Sequence, residues 1–147
     1  MDGRWWTGPG GRARLGEVYR YLSLEWLDAL SDAVGRSDAL RDLADDHEIG
    51  VTQVVADGPE GDVTYHLQLA DGSARFGAGA AWPEDVRMEQ DWDTAVAVAT
   101  HQLAAQEAFI KGRIRLTGDQ QKLIDAQPVF GALDGVFAAI REHTEYR

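Results

Sequence analysis

The chain contains no cysteine. Disulfides, thiol nucleophiles and cysteine-ligated zinc are excluded together, and a reducing cytoplasm is the compartment this composition fits. Long apolar runs are missing as well. None approaches the roughly 20 residues of a membrane span. Arg4, Arg12 and Arg14 are followed by no apolar stretch of the kind a secretory signal needs. Positive charge is scarce: 14 Lys and Arg face 25 Asp and Glu, for a formal net charge of -11. Nucleic acid is therefore not an expected partner, because binding phosphates needs a basic footprint. An anionic membrane would repel the molecule as a whole. A local basic patch can still dock, since salt confines the repulsion to roughly 8–10 Å.

Catalytic and cofactor motifs are equally sparse. His47, His66, His101 and His143 are far apart and form no His-x-x-x-His pair, so neither a metal nor another cofactor is expected. Gly77-Ala78-Gly79-Ala80-Ala81-Trp82 begins like a dinucleotide loop but fails at its sixth position, and Pro83 follows. Gly77 and Gly79 read instead as a bulge or a close backbone approach. There is no Gly-x-Ser-x-Gly elbow. Asp91 and Asp93 flank Trp92 and read as solvent charge and helix capping.

What is present is one domain of ordinary composition, 147 residues with 44% hydrophobic and 27% charged. Residues 1–16 are rich in glycine and read as a flexible tail, leaving 17–147 as the domain. Trp5 and Trp6 in the tail either pack partly on the domain, are disordered, or serve as a lid or interface anchor, since tryptophan suits half-wet surfaces. Ser23 caps a helix with Leu24, Leu27, Leu30 and Val34 at helical spacing. Ser37 or Asp38 caps a second, with Leu40 and Leu43. Strands follow at Ile49–Val55, Val63–Leu69 and Ala74–Ala78, the last two joined by a hairpin at Asp71-Gly72. Val86, Met88 and Trp92 alternate with Arg87, Glu89 and Asp91 on a fourth strand. Asp93 or Thr94 then starts a helix bearing Val96, Ala99, His101 and Leu103, which Gly112 breaks. Arg113–Leu116 is the fifth strand, Asp119 caps a short helix, and Pro128 interrupts. Phe130, Leu133, Phe137 and Ile140 define an amphipathic last helix. Hairpin-linked strands with helices at both ends give an α+β fold: a mostly antiparallel, mixed sheet with one face covered by helices.

Four segments in this order resemble the sterol carrier protein 2 (SCP-2-like) family, in its bacterial form. They are Tyr21-Leu22-Ser23-Leu24-Glu25-Trp26, Asp62-Val63-Thr64-Tyr65-His66-Leu67 leading into Asp71-Gly72, Asp91-Trp92-Asp93-Thr94-Ala95, and Ala108-Phe109-Ile110-Lys111-Gly112-Arg113-Ile114-Arg115-Leu116-Thr117-Gly118-Asp119 with Lys122-Leu123. The resemblance implies a five-stranded sheet covered by helices, with an apolar tunnel between them. It implies binding of a sterol, fatty acid, fatty acyl-CoA or phospholipid, and transfer between membranes. In that fold Trp26, Phe76, Trp92, Val96, Leu103, Phe109, Leu123, Phe130 and Phe137 converge as tunnel-lining candidates, which are equally the core of any such domain. The chain ends Glu145-Tyr146-Arg147, which is not a peroxisomal address.

Lys111, Arg113 and Arg115 alternate along one strand and are expected on a common face, able to meet an anionic head group or touch a membrane. Two other functions stay open. One is a regulatory interaction module whose cavity has degenerated, marked by a filled core and an exposed apolar patch. The other is a small enzyme acting on an apolar substrate, for which His101, Glu107 and Tyr65 are the candidates.

Overall fold

A computed structural model describes residues 18–146. The elements in chain order are β1 (Tyr19–Arg20), α1 (Leu24–Gly35), α2 (Asp38–Ala44), β2 (Ile49–Gly58), β3 (Gly61–Ala70), β4 (Ser73–Ala78) and β5 (Val86–Asp91). They continue with α3 (Trp92–Ala99), α4 (Ala105–Ile110), β6 (Arg115–Gly118), α5 (Gln120–Asp125), α6 (Gln127–Arg141) and β7 (Thr144–Glu145). Five strands form one sheet in the order β4-β3-β2-β5-β6. All its pairings are antiparallel except β2 with β5. This is the α+β, mixed-sheet architecture that the pattern of strands and helices predicts.

Local chemistry explains the element starts. The Ser23, Ser37, Asp91 and Asp119 side chains accept from the backbone N–H groups of Trp26, Leu40, Thr94 and Lys122, satisfying donors that a helix start leaves orphaned. The β3–β4 hairpin turns on Asp71 (φ 51°) and Gly72 (φ 74°), the left-handed pair that a tight two-residue turn demands. Pro128 lies in the first turn of α6, where its missing N–H costs no helical bond.

The helices cover one face of the sheet. α1 crosses β4 and packs on α6, α2 lies beside α6 and β4, and α3 covers β2 and β5. Parallel strands β1 and β7 tie the two ends of the described chain together, pairing Tyr19 with Thr144. Trp26 Nε1 on α1 reinforces this by donating to Thr144 Oγ1 at 3.2 Å. The other face is mostly polar. Part of it lies under the segment 79–85, fixed by Ala81 N–H donating to the buried Thr52 hydroxyl at 2.9 Å and by Gln68 bridging the Trp82 N–H and carbonyl.

Several expectations need correction. The helix after β5 starts at Trp92 and stops at Ala99. Thr100 Oγ1 donates back to Val96 O at 2.7 Å, His101 takes φ 63°, and both Gln102 N and Leu103 N converge on Ala97 O. His101 is thus an exposed residue of the break between α3 and α4, not a helix position facing a tunnel. The last sheet strand runs from Arg115 to Gly118, two residues later than its alternation suggests. Leu24 is 69% exposed, off the apolar stripe of α1. Gly77 pairs in unbroken β3–β4 register, and the bulge lies in β2 between Val55 and Gly58. The flexible tail at residues 1–16, with Trp5 and Trp6, lies outside the described residues.

Candidate functional site

The helix-covered face of the sheet is built in cross-strand rows, because side chains alternate and paired residues share a face. Ile49, Leu69 and Ala74 form the first row. Val51, Leu67, Phe76 and Val86 form the second. The residues of these two rows on β2 to β5 are buried, between 0% and 7% exposed, while Gly118 of β6, paired with Val86, is exposed. The third row is different: Gln53, Tyr65, Ala78, Met88 and Leu116. Here Gln53, Met88 and Leu116 are only half-buried and Ala78 is exposed. The fourth row joins a sealed Val55 to half-buried Val63 and Gln90.

An aromatic wall stands over the sealed end and reaches the third row. The Trp26 ring lies 6.1–6.4 Å from Tyr65, Phe76 and Phe137. Phe76 in turn touches Tyr65 at 5.4 Å and Phe137 at 6.1 Å. Tyr21 extends the wall, edge-on to Trp26 at 5.0 Å and close to Trp92 and Tyr146. Such contacts rigidify a lining beyond what burial alone supplies. Burial pushes the hydroxyls of Tyr21 and Tyr65 well above the usual phenol range, so both remain protonated at neutral pH.

The nine apolar candidates do not all meet. Trp26 and Phe76 are buried in the core, and Trp92, Val96, Leu123, Phe130 and Phe137 are half-buried against it. Leu103 sits in the break after α3, half-buried but not among the residues packed on that core. Phe109 is 44% exposed on α4, with Ile110 beside it at 75%.

The three cations do not form one face. Lys111 ends α4 and pairs with Glu107 at 2.9 Å. Arg113 lies in the loop before β6 and donates from Nε to Thr94 Oγ1 at 3.1 Å. Only Arg115 is on the strand, paired across it with Glu89 at 3.6 Å. The alternation argument fails because the strand begins too late to include the other two.

The enzymatic candidates are scattered. His101 and Glu107 are exposed, Glu107 is held by Lys111, and Tyr65 is buried on the sheet. Among the described residues no three His, Asp or Glu side chains come together as metal ligands.

Reading the strands by apolar residues alone misses Gln53 and Gln90. The signal is nevertheless in the sequence. Gln53 falls on the phase of Ile49, Val51 and Val55, and Gln90 on that of Val86 and Met88. A polar residue on the apolar phase of a strand marks an inner face that is not simply core.

A helix-covered mixed sheet, half sealed and half accessible on its inner face, defines an α+β domain. The profile of the SCP-2 sterol transfer family matches residues 27–131, well over half of the chain, and the chain belongs to that family. Solved structures agree on the fold. One is a conserved hypothetical protein of Thermus thermophilus, suggested to be a sterol carrier protein. It is 21% identical with a TM-score of 0.59, over 88% of this chain and 94% of that one. The apo form of sterol carrier protein 2 from Yarrowia lipolytica is 15% identical with a TM-score of 0.55, over 76% of this chain and 85% of that one. The inverting sec-alkylsulfatase of a Pseudomonas species is 23% identical with a TM-score of 0.51; the match takes in 76% of this chain but 16% of that enzyme. Curated proteins include no match to the chain.

Proposed function

We propose that the chain binds a lipid, or an apolar small molecule of similar shape, between the inner face of the sheet and helices α3, α5 and α6. The observation that carries this is the half-buried third row, where Met88 and Leu116 stay partly accessible and, like Val96, Leu123, Phe130 and Phe137, are only partly buried against the core. A core with no ligand role would seal that row as it seals the two beside it. An apolar tunnel opening there supplies the lining a lipid chain needs, with few polar groups to orient it.

The role is carriage rather than catalysis, since His101, Glu107 and Tyr65 do not converge on a reacting centre. Sterol, fatty acid, fatty acyl-CoA and phospholipid are the candidate cargoes. Transfer between membranes is assigned to transient contact through the tip of α4, where Phe109 and Ile110 are exposed beside Lys111. A cytoplasmic setting suits a cysteine-free carrier. Among the described residues no helix is long and apolar enough to cross a membrane.

Native mass spectrometry of gently purified protein, with solvent extraction of the same sample, tests the proposal. A stoichiometric adduct that extracts as lipid is the expected result. A bare mass, together with failure of fluorescent fatty-acid and sterol probes to bind at micromolar concentration, contradicts it.

A further inference from the structure

The accessible part of the inner face carries a small set of neutral polar groups that the apolar lining does not explain. Gln90 Nε2 donates to Gln53 Oε1 at 3.3 Å, across the parallel β2–β5 pairing. Among the described residues Gln53 Nε2 in turn reaches only the Met88 thioether at 3.5 Å. A thioether is a weak acceptor, so most of that donor's capacity is unspent. Next to Gln53 in the same row stands Tyr65, 7% exposed. Its hydroxyl makes no hydrogen bond among the described residues. Whichever way the two amides are turned, their mutual bond leaves a donor and an acceptor free in the part of the face that also holds Tyr65.

None of these atoms is both sealed from solvent and unpartnered; a ligand that covers them displaces their water and is penalised unless it replaces those hydrogen bonds. Valine or leucine at positions 53 and 90 would continue the apolar phase of both strands without that cost. The charge pattern narrows what the satisfying group is. No inner-face position of the five strands holds a Lys, Arg, Asp or Glu: the residues are Ile49, Val51, Gln53 and Val55 on β2, with only Val, Tyr, Leu, Ala, Phe, Met, Gln and Gly at the rest. Arg75, Arg87 and Arg115 all fall on the opposite phase. On α6, Arg141 is engaged with the Ala99 carbonyl and Asp134. A carboxylate or phosphate seated on this row would have no counter-charge among the inner-face residues of the five strands.

We infer that Gln53, Gln90 and Tyr65 form a neutral hydrogen-bonding anchor for an uncharged polar end of the ligand, a hydroxyl or a carbonyl, with the apolar remainder lying against Met88, Leu116 and Phe137. The anchor rests on the lipid-binding reading above. It makes the site selective for alcohols, sterols and esters over free fatty-acid anions. The two amides supply both a donor and an acceptor, and the phenol supplies a donor that burial keeps protonated.

Matched probes test it: dodecanol, dodecane and laurate, each displacing a fluorescent apolar dye from the full chain at pH 8. The wild type is expected to bind dodecanol roughly tenfold more tightly than dodecane, the value of about one well-made buried hydrogen bond. Laurate is expected to bind more weakly than dodecanol. In Gln53→Leu/Gln90→Leu the dodecanol preference disappears, and dodecane binds as well as before or better. Tyr65→Phe keeps the ring and removes only the hydroxyl, so it lowers the preference in a fold-neutral background. Equal binding of dodecanol and dodecane by wild type, or a preference that survives in all variants, overturns the anchor while leaving lipid binding intact. Tighter laurate binding overturns it too and points to Arg141. A wild type that displaces dye with none of the three contradicts the lipid-binding reading itself.

Discussion

Two neighbouring rows of the same sheet face, built by the same strands, behave differently. Val51, Leu67, Phe76 and Val86 are sealed, while Gln53, Met88 and Leu116 one step along are half-open. The covering helices account for much of the contrast. Over the sealed rows lies α1, which buries Trp26, Leu27, Ala29, Leu30 and Val34. Over β2 and β5, which carry Gln53 and Met88 of the open row, lies α3 with 8 residues, and the chain that follows β6 forms α5 with 6. α5 buries no residue fully. Short helices gain little stability from their own hydrogen bonds and depend on packing. The open row is therefore where the fold has least cover, and where the polar residues of the inner face are found. One half of the face holds the domain together, and the other is where the proposed ligand would lie.

The largest expected effect breaks the comparison directly. Leu67→Ala in the sealed row should cost about 2–5 kcal/mol in urea unfolding, the range for deleting a buried leucine side chain. Leu116→Ala in the open row removes the same atoms from a half-buried site and should cost about 1 kcal/mol. Equal losses would mean that both rows are packed alike.

The buried phenols give a pH test. Their folded-state values lie above the unfolded ones, so the folded chain holds its protons longer. Stability is then fully present below the unfolded phenol value, about pH 10. It is lost as pH rises from there toward the folded values. The slope for each such tyrosine approaches about 1.4 kcal/mol per pH unit. Alkaline denaturation followed by phenolate absorbance should show the decline. Tyr65→Phe should remove its own share, and an unchanged slope would mean that this hydroxyl titrates freely.

Helix caps sharpen the contrast among the shorter helices. Asp91 is the N-cap of α3, accepting from Thr94 N at 2.8 Å, and hydrogen bonds from the Thr94 side chain and then its backbone hold the Asp91 carboxyl below the usual range. Asp91→Ala should cost about 1 kcal/mol. α4 has Ala104 at the same position and no side-chain cap bond. Ala104→Ser should add about 0.5 kcal/mol to thermal stability. A destabilising result there would show that the start of α4 is fixed by contacts other than its cap.

Much of this fold is legible in the sequence, because its signals are local. Ser23, Ser37 and Asp119 announce helix starts, Asp71-Gly72 announces the hairpin, and the alternation of Val63, Tyr65, Leu67 and Leu69 places β3 with its correct face inward. The break between α3 and α4 is not legible. Neither Gly nor Pro marks it, and the chain turns instead on His101 in a left-handed conformation and on a threonine that bonds back to its own helix. That break displaces His101 and Leu103, and the late start of β6 disperses Lys111, Arg113 and Arg115. The two-residue strands β1 and β7 are too short for any periodicity to reveal. Gln53 and Gln90 lay within reach, since each violates the apolar phase of its strand. Their meeting depends on the parallel β2–β5 register, which only the tertiary structure supplies.

Methyl NMR during titration with dodecanol tests the division of the inner face most directly. The account predicts shifts at Met88, Val63 and Leu116 in the open rows and in Val96 and Leu123 above them, with Ile49, Val51, Leu67 and Leu69 unmoved. Shifts confined to surface residues such as Ile110 and Ile124, or spread evenly over sealed and open rows, would contradict it.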